Sequence, residues 1–280
     1  MAVRTVGWSD RRIREQRCPV NSSQPLYLSE QWTTAAEPDL AVTTRGAVPP
    51  ADVTRAVRAI GRVLRRHHLD VPARVRVTAP ADRDQPTVVQ ANVRMHETPT
   101  RVQVTGPRGF AVTFAVERLD RQIARLAAHE SRSWPDPARP PLARITERRP
   151  IVRRKDCALL TGTPEEAVEV MDAMDYDAYL FTDAESGEDA VVSWTDPIGV
   201  ALARQRAVYP PAPTEDRPLT AGSLPIAVRP DPTPTLTEDE AATWLCRAGL
   251  PFLFYSDEHT RRGNLLYRRY DGDLTVVAPA

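Results

Sequence analysis

The strongest constraint on this chain is that one stretch of it comes back. Thr163 to Trp194 reads TPEEAVEVMDAMDYDAYLFTDAESGEDAVVSW; adding 74 to each position gives, without a gap, Thr237 to Arg268, TEDEAATWLCRAGLPFLFYSDEHTRRGNLLYR. Few residues are identical: Thr163/Thr237, Glu166/Glu240, Ala167/Ala241 and Asp183/Asp257. The agreement lies in pattern: a Thr, an acidic first turn, a short amphipathic run, an aromatic strand, a polar turn with Gly, and a second apolar strand. One supersecondary unit used twice is the economical reading, and two copies predict two small domains, not a long solenoid.

Thr163-Pro164-Glu165-Glu166 predicts a helix start: Thr at the N-cap, Pro at the first position, and Glu166 closing a capping box. Thr237-Glu238-Asp239-Glu240 repeats this without Pro. Asp183 to Gly187 and Tyr270 to Asp273 read as turns between strands.

A length of 280 residues fits two domains or three small ones. No run approaches the roughly 18 apolar residues of a membrane span. The N-terminus has no charged-then-apolar signal pattern, so a cytoplasmic chain with no membrane partner is expected. Cys18, Cys157 and Cys246 are odd in number and far apart, which argues against a disulfide framework or a zinc site. No cofactor or metal is expected.

The net charge of zero hides segregation. Residues 38–133 carry 16 arginines against nine acids, a balance of +7; residues 151–209 carry five basic side chains against 12 acids, a balance of −7. Lys155 is the lone lysine, so the basic surface is made of arginine, whose planar fork matches phosphate. A basic domain joined to acidic ones makes the basic part the candidate nucleic-acid surface.

Residues 1–37 lack periodicity and read as a mobile tail. Residues 38–130 then follow a βαβββα pattern. A strand at Leu40 to Thr43 leads to Pro49-Pro50-Ala51-Asp52, with Asp52 as a plausible N-cap. Val53, Val57, Ile60 and Leu64 form the apolar stripe of a helix whose opposite face carries Arg55, Arg58, Arg62, Arg65 and Arg66. Three alternating strands follow. Period two buries Val75, Val77, Val89, Ala91, Val93, Met95, Val102 and Val104 and leaves Arg74, Arg76, Gln90, Asn92, Arg94, Arg101 and Gln103 on an open face, where Arg74, Arg76 and Arg94 are candidate RNA-binding residues. A second helix has Val112, Val116, Leu119, Ile123 and Leu126 inward and a ridge of Arg118, Arg121 and Arg125. Paired arginine ridges suit a structured RNA backbone, and the few aromatics here (Phe110, Phe114) argue against base stacking as the main mode. Residues 131–150 and 210–234 are rich in Pro and read as spacers, so copy one is 151–209 and copy two 235–280.

The phrase VRRKDCALLTGTPEEAVEVMDAMDYDAYLFTDAESGEDAVV resembles the C-terminal domain of long hibernation-promoting factors, and Leu265 to Gly272, LLYRRYDG, resembles that family's closing YRRxDG signature. Residues 38–130 resemble its ribosome-binding domain (the S30AE, or sigma-54-modulation, domain), most closely at Val116 to Ile123. The resemblance implies a fold similar to double-stranded RNA-binding domains, with two helices on one face of the sheet. The fold class is therefore α+β: this βαβββα domain followed by two small tandem α+β repeat domains. It also implies a function: binding 16S rRNA in the decoding channel of the 30S subunit and silencing the ribosome. Carried over residue by residue, Arg58, Arg118, Arg121 and Arg125 match basic positions of the family; Arg55, Arg62, Arg65 and Arg66 extend that set by helix geometry.

Ordinary long members have one C-terminal copy, which dimerises to join two ribosomes. Two diverged copies resemble the hypoxia- or dormancy-associated members. The copies are expected to pair in cis through Tyr179, Phe181, Val191 and Val192 against Phe252, Phe254, Tyr255, Leu265, Leu266 and Tyr267, holding single 70S particles; the alternatives are a homodimer that gives 100S particles and a transcription modulator. An enzyme is not expected. His67-His68 and Asp257-Glu258-His259 set a His near a carboxylate, but no nucleophile, phosphate loop or metal spacing accompanies them.

Overall fold

The computed structural model describes residues 29–33, 40–80, 82, 85–95, 98–130, 132, 134, 146–196, 199–206, 220–221, 224–269 and 271–280. The basic half is a five-stranded sheet with two helices on one face. β1 (Ser29–Thr33) pairs antiparallel with β2 (Leu40–Gly46). The crossover helix α1 (Pro50–Arg66) then returns the chain to β3 (Ala73–Ala79), parallel to β2, as a parallel pair requires. β4 (Thr87–Met95) and β5 (Thr98–Gly106) continue as an antiparallel meander, and α2 (Ala111–Ala127) follows. The core sits between sheet and helices: Val53, Ile60 and Leu64 of α1 and Val112, Leu119 and Ile123 of α2 pack on Val75, Val77, Val89, Ala91, Val93 and Val102. The α+β class and the βαβββα order are as read from the sequence. β1 is an addition: Ser29–Thr33 falls within the expected mobile tail but extends the sheet past β2, while residues 1–28 lie outside those described. α1 also starts before Asp52, with Pro49 at the N-cap and Pro50 in the first turn, where its missing N–H costs nothing.

The acidic half contains β6 (Ile151–Cys157), β7 (Thr161–Gly162), α3 (Pro164–Ala173), β8 (Ala178–Asp183), β9 (Asp189–Trp194) and β10 (Val200–Arg204). It continues through β11 (Thr220–Ala221), β12 (Leu224–Val228), β13 (Thr235–Leu236), α4 (Glu238–Arg247), β14 (Phe252–Asp257), β15 (Gly263–Arg268) and β16 (Leu274–Pro279). Both helices open on the capping boxes read from the sequence, Thr163 with Glu166 and Thr237 with Glu240. The repeat extends beyond the matched stretch, since the 74-residue shift maps β10 onto β16 and β6 onto β12. Trp194 and Arg268, equivalent by the shift, bond equivalent carbonyls: Trp194 Nε1 donates to Tyr176 O at 3.0 Å and Arg268 Nε to Leu250 O at 3.1 Å.

The copies are interlocked. One sheet runs β11-β12-β10-β9-β8-β7 and the other β13-β14-β15-β16-β6. Thus β6, which precedes copy one in the chain, pairs parallel with β16 of copy two, and β12, which precedes copy two, pairs parallel with β10 of copy one. Each copy lends its first strand to the other. Leu224 and Ile226 are buried in the core of copy one, while Ile151 packs on that of copy two. This corrects the reading of 210–234 as a plain spacer: β11 and β12 lie inside it and build copy one's sheet. The 131–150 spacer is likewise anchored at its start, where Arg132 is buried and Trp134 stacks on Trp194, centroids 6.0 Å apart. Residues 135–145 and 207–219 lie outside those described.

Candidate nucleic-acid interface

The eleven arginines read as RNA-binding fall on three different surfaces. Arg58, Arg62 and Arg65 project from the solvent face of α1, are exposed, and carry no ion pair with any of the described residues. Their row follows from helical spacing, because the opposite stripe (Val53, Ile60, Leu64) is consumed by the core. Arg55 and Arg66 flank them but are tethered. Arg55 lies 3.4 Å from Asp52 and donates to Gly109 O at 2.6 Å; Arg66 meets Asp120 at 2.8 Å, a carboxylate shared with His67 Nε2, also at 2.8 Å. Arg74 and Arg76 are exposed and Arg94 half-buried on the open sheet face, on the far side of the sheet from α1. No single flat surface therefore presents both sets.

The third surface, the α2 ridge, is covered by copy one. Arg118 is only 9% exposed. Its Nη2 donates to Asp175 Oδ1 at 2.7 Å and its Nε to Oδ2 at 3.2 Å. Arg125 grips Asp172 through both nitrogens, at 2.6 and 2.7 Å. Gln122 Nε2 donates to Asp172 O at 2.7 Å, the Gln103 amide N–H to Asp175 Oδ2 at 3.3 Å, and Arg101 to Met174 O at 3.4 Å. Arg132 also pairs with Asp175, and the Arg101 guanidinium lies 5.0 Å from the Tyr176 ring centroid. Of the predicted ridge only Arg121 is exposed. Sequence reasoning missed this because a fold-back contact leaves no local pattern; the surplus of opposite charges in the two halves was the available signal.

The turn that makes this contact is strained. Asp175 ends the α3 segment in the left-handed region, at φ 53°, where its equivalent in copy two is Gly249 at φ 62°. Gly adopts that conformation freely, whereas an aspartate accepts a cost of about 1 kcal/mol. The equivalent of Asp172 is Cys246, buried in copy two's core. The two docking carboxylates thus belong to copy one alone.

Between the copies, Leu180 and Val191 of copy one and Phe254 and Leu265 of copy two form one buried cluster, with Ala178, Ala203, Phe252 and Val277 against it. Of the residues expected to pair the copies, Val191, Phe252, Phe254 and Leu265 lie in this cluster. Tyr179, Phe181 and Val192 pack into copy one's own core, and Tyr255 and Leu266 into copy two's. Strand alternation is the reason: in Ala178-Tyr179-Leu180-Phe181 one parity faces α3 and the other faces the partner copy, and both parities are apolar. Leu180 was missed on the same ground. Tyr267 accepts from Lys155 Nζ at 2.8 Å, so the lone lysine ties the exchanged strand β6 to β15.

The interface is size-matched. By the 74-residue shift Ala178 corresponds to Phe252, Leu180 to Phe254, Val191 to Leu265 and Ala203 to Val277, and at each pair copy one holds the smaller side chain. At the edge of the same contact Asp189 meets its own equivalent, Gly263. The carboxylate accepts the Gly263 N–H at 2.8 Å and is bound by Arg262 at 2.8 and 3.0 Å. A Cβ at Gly263 would sit 2.7 Å from Asp189 Cβ.

The carboxylate–histidine turn is structural in its contacts. Asp257 accepts N–H bonds from His259 at 3.1 Å and Thr260 at 2.8 Å and the Thr260 hydroxyl at 3.0 Å, while His259 is exposed. Burial works against the charged carboxylate, but these hydrogen bonds outweigh it and hold Asp257 below its ordinary pKa. No cluster of three or more metal-ligating side chains occurs among the described residues, and no helix among them is long and apolar enough to cross a membrane. Cys246 is a buried free thiol, whereas Cys157 is disulfide-bonded, against the expectation drawn from cysteine spacing.

Comparison with known proteins agrees with these features. The pattern of the family described as sigma 54 modulation/S30EA ribosomal protein C terminus matches residues 146–193. Proteins named dormancy associated translation inhibitor from two Mycobacterium tuberculosis strains, CDC 1551 / Oshkosh and H37Rv, are each 44% identical over 248 residues, covering 86% of this chain and 89% of theirs. The crystal structure of the Thermus thermophilus Protein Y N-terminal domain aligns with 31% of this chain and 93% of its own, at 19% identity and a TM-score of 0.26. With relatives of that identity matched over most of both lengths, the chain belongs to the sigma-54-modulation/S30EA family of long hibernation-promoting factors.

Proposed function

We propose that this protein is a ribosome hibernation factor that inhibits translation without chemistry, by seating its βαβββα domain on 16S rRNA in the decoding channel of the 30S subunit. The observation that carries the reading is the row of Arg58, Arg62 and Arg65 on α1, three exposed guanidinium groups with no carboxylate partner among the described residues, on a helix whose other face is fixed in the core. A rigid cationic row suits the phosphate backbone and needs no base readout. Family membership and the relatives' name support the same reading, and ribosome association places the work in the cytoplasm.

The interlocked copies support silencing of single 70S particles. A self-complementary dimer contact sets the residues on its two-fold axis near their own mates, as Asp189 and Gly263 are here. Copy one paired with copy one would bring Asp189 carboxylates together and leave voids at Ala178 and Ala203; copy two paired with copy two would crowd Phe252 and Phe254. Each copy is therefore best matched by the other, which the same chain supplies.

The test is cell-free translation with the full-length protein. Wild type inhibits in proportion to added protein, whereas Arg58→Ala/Arg62→Ala/Arg65→Ala shifts half-inhibition to at least about tenfold higher protein at moderate salt, since each lost phosphate contact weakens binding. Equal inhibition by the triple variant refutes the assignment of α1.

A further inference from the structure

We infer that copy one is an internal competitor of RNA: in the free protein the carboxylates of Asp172 and Asp175 hold closed the arginine edge of α2 and β5, and backbone phosphates must displace them. The inference rests on the ribosome-binding reading above and adds to it an internal competitor.

Three observations carry it. First, the groups that grip copy one are those that grip phosphate: forked guanidinium groups of Arg118 and Arg125, supported by Arg132, the Gln122 amide and a backbone N–H. Carboxylate and phosphate oxygens present the same acceptor geometry to an arginine fork. Second, Asp175 occupies a left-handed position where copy two keeps Gly249, and Asp172 stands where copy two keeps Cys246. The backbone strain is borne by the copy whose turn meets the arginines. Third, the contact is polar. None of the buried apolar clusters among the described residues joins the 40–127 domain to copy one, whereas an apolar cluster does join the two copies. Polar contacts between domains release without exposing a core, and a salt-bridged one competes directly with a polyanion.

In the free chain, α1 presents the open arginine row while α2 is neutralised. On rRNA, phosphates displace Asp172 and Asp175, copy one swings off with copy two still locked to it, and the α2 ridge joins the contact. Binding energy is spent on opening, so the closed chain binds RNA more weakly than its arginine count allows.

The experiment measures affinity of full-length protein for salt-washed 30S subunits across a salt series. Asp172→Asn/Asp175→Gly removes both carboxylates while retaining the left-handed turn that Gly249 already uses. Its dissociation constant is expected to fall about tenfold or more, the usual scale of coupled sites, with a steeper salt dependence. Adding Arg118→Ala and Arg125→Ala to that variant is expected to cancel the gain. Hydrogen exchange on the wild type supplies a readout independent of any variant: amides 172–177 lose protection when 30S is bound. Wild-type affinity and salt slope in the double variant, a gain that survives loss of both arginines, or unchanged protection of 172–177 each overturns the inference and leaves the ribosome reading standing. Absence of 30S binding by both proteins removes the ribosome reading, and the inference with it.

Discussion

Exchanging the sizes of Leu180 and Phe254 probes the pairing of the copies. Both side chains are buried, at 3% and 8% exposure, in the cluster they share with Val191 and Leu265. Leu180→Phe alone overfills this cluster and costs about 1–3 kcal/mol. Phe254→Leu alone leaves a gap and costs about 1–2 kcal/mol, part of the ~3–5 kcal/mol for truncating a buried Phe to Ala. The double variant keeps the summed volume, so its cost stays below about 1.5 kcal/mol. The coupling energy is therefore at least about 0.5 kcal/mol, with the sign of mutual rescue. Urea unfolding of the full-length chain, followed by far-UV circular dichroism, gives the three differences, with gel filtration confirming one chain per particle. Losses that add to within about 0.5 kcal/mol refute the packing argument, since independent sites add in that way.

Other consequences can be checked separately. Sucrose gradients of ribosomes with saturating protein show a retained 70S peak and no 100S peak, because each copy's partner is already in the chain; an abundant 100S peak contradicts cis pairing. The carboxyl of Asp257 is held below its ordinary value of 3.8. A depressed carboxylate stabilises above its unfolded pKa and loses that contribution as pH falls through the folded one. The stability gap between wild type and Asp257→Asn, measured by urea midpoints, is therefore constant above about pH 5 and narrows as pH falls past 3.8; a gap independent of pH down to the acid limit sinks this assignment. Thr163→Ala and Thr237→Ala each remove a capping box and cost about 1 kcal/mol, read from the same unfolding curves.

Much of the fold was legible because its signals are local. Alternation in Arg74 to Val77 and Val89 to Met95 settled which face of the sheet is wet, and the Thr-x-x-Glu boxes marked α3 and α4 to the residue. The 74-residue shift exposed the repeat despite few identities. What the sequence did not reveal is set by long-range pairing. Ile151–Cys157 and Leu224–Val228 read as strands or spacers on their own, and nothing in either stretch says that each completes the other copy's sheet. In Tyr179-Leu180-Phe181 every residue is apolar, so alternation cannot say which side meets the helix. Arg118 and Arg125 looked like a solvent ridge because their spacing is that of an exposed face; their partners lie about 50 residues away and meet them only after the chain folds back. Arg58, Arg62 and Arg65 of α1 were legible for the converse reason: they stand exposed on the face opposite the core.

The most direct measurement is salt-titrated co-sedimentation of the purified full-length chain with 30S subunits. The account predicts saturable one-to-one pelleting, with log K falling steeply against log salt as several phosphates release their counterions. Absence of pelleting at low salt, or pelleting that salt leaves unchanged, would contradict an arginine-to-phosphate contact.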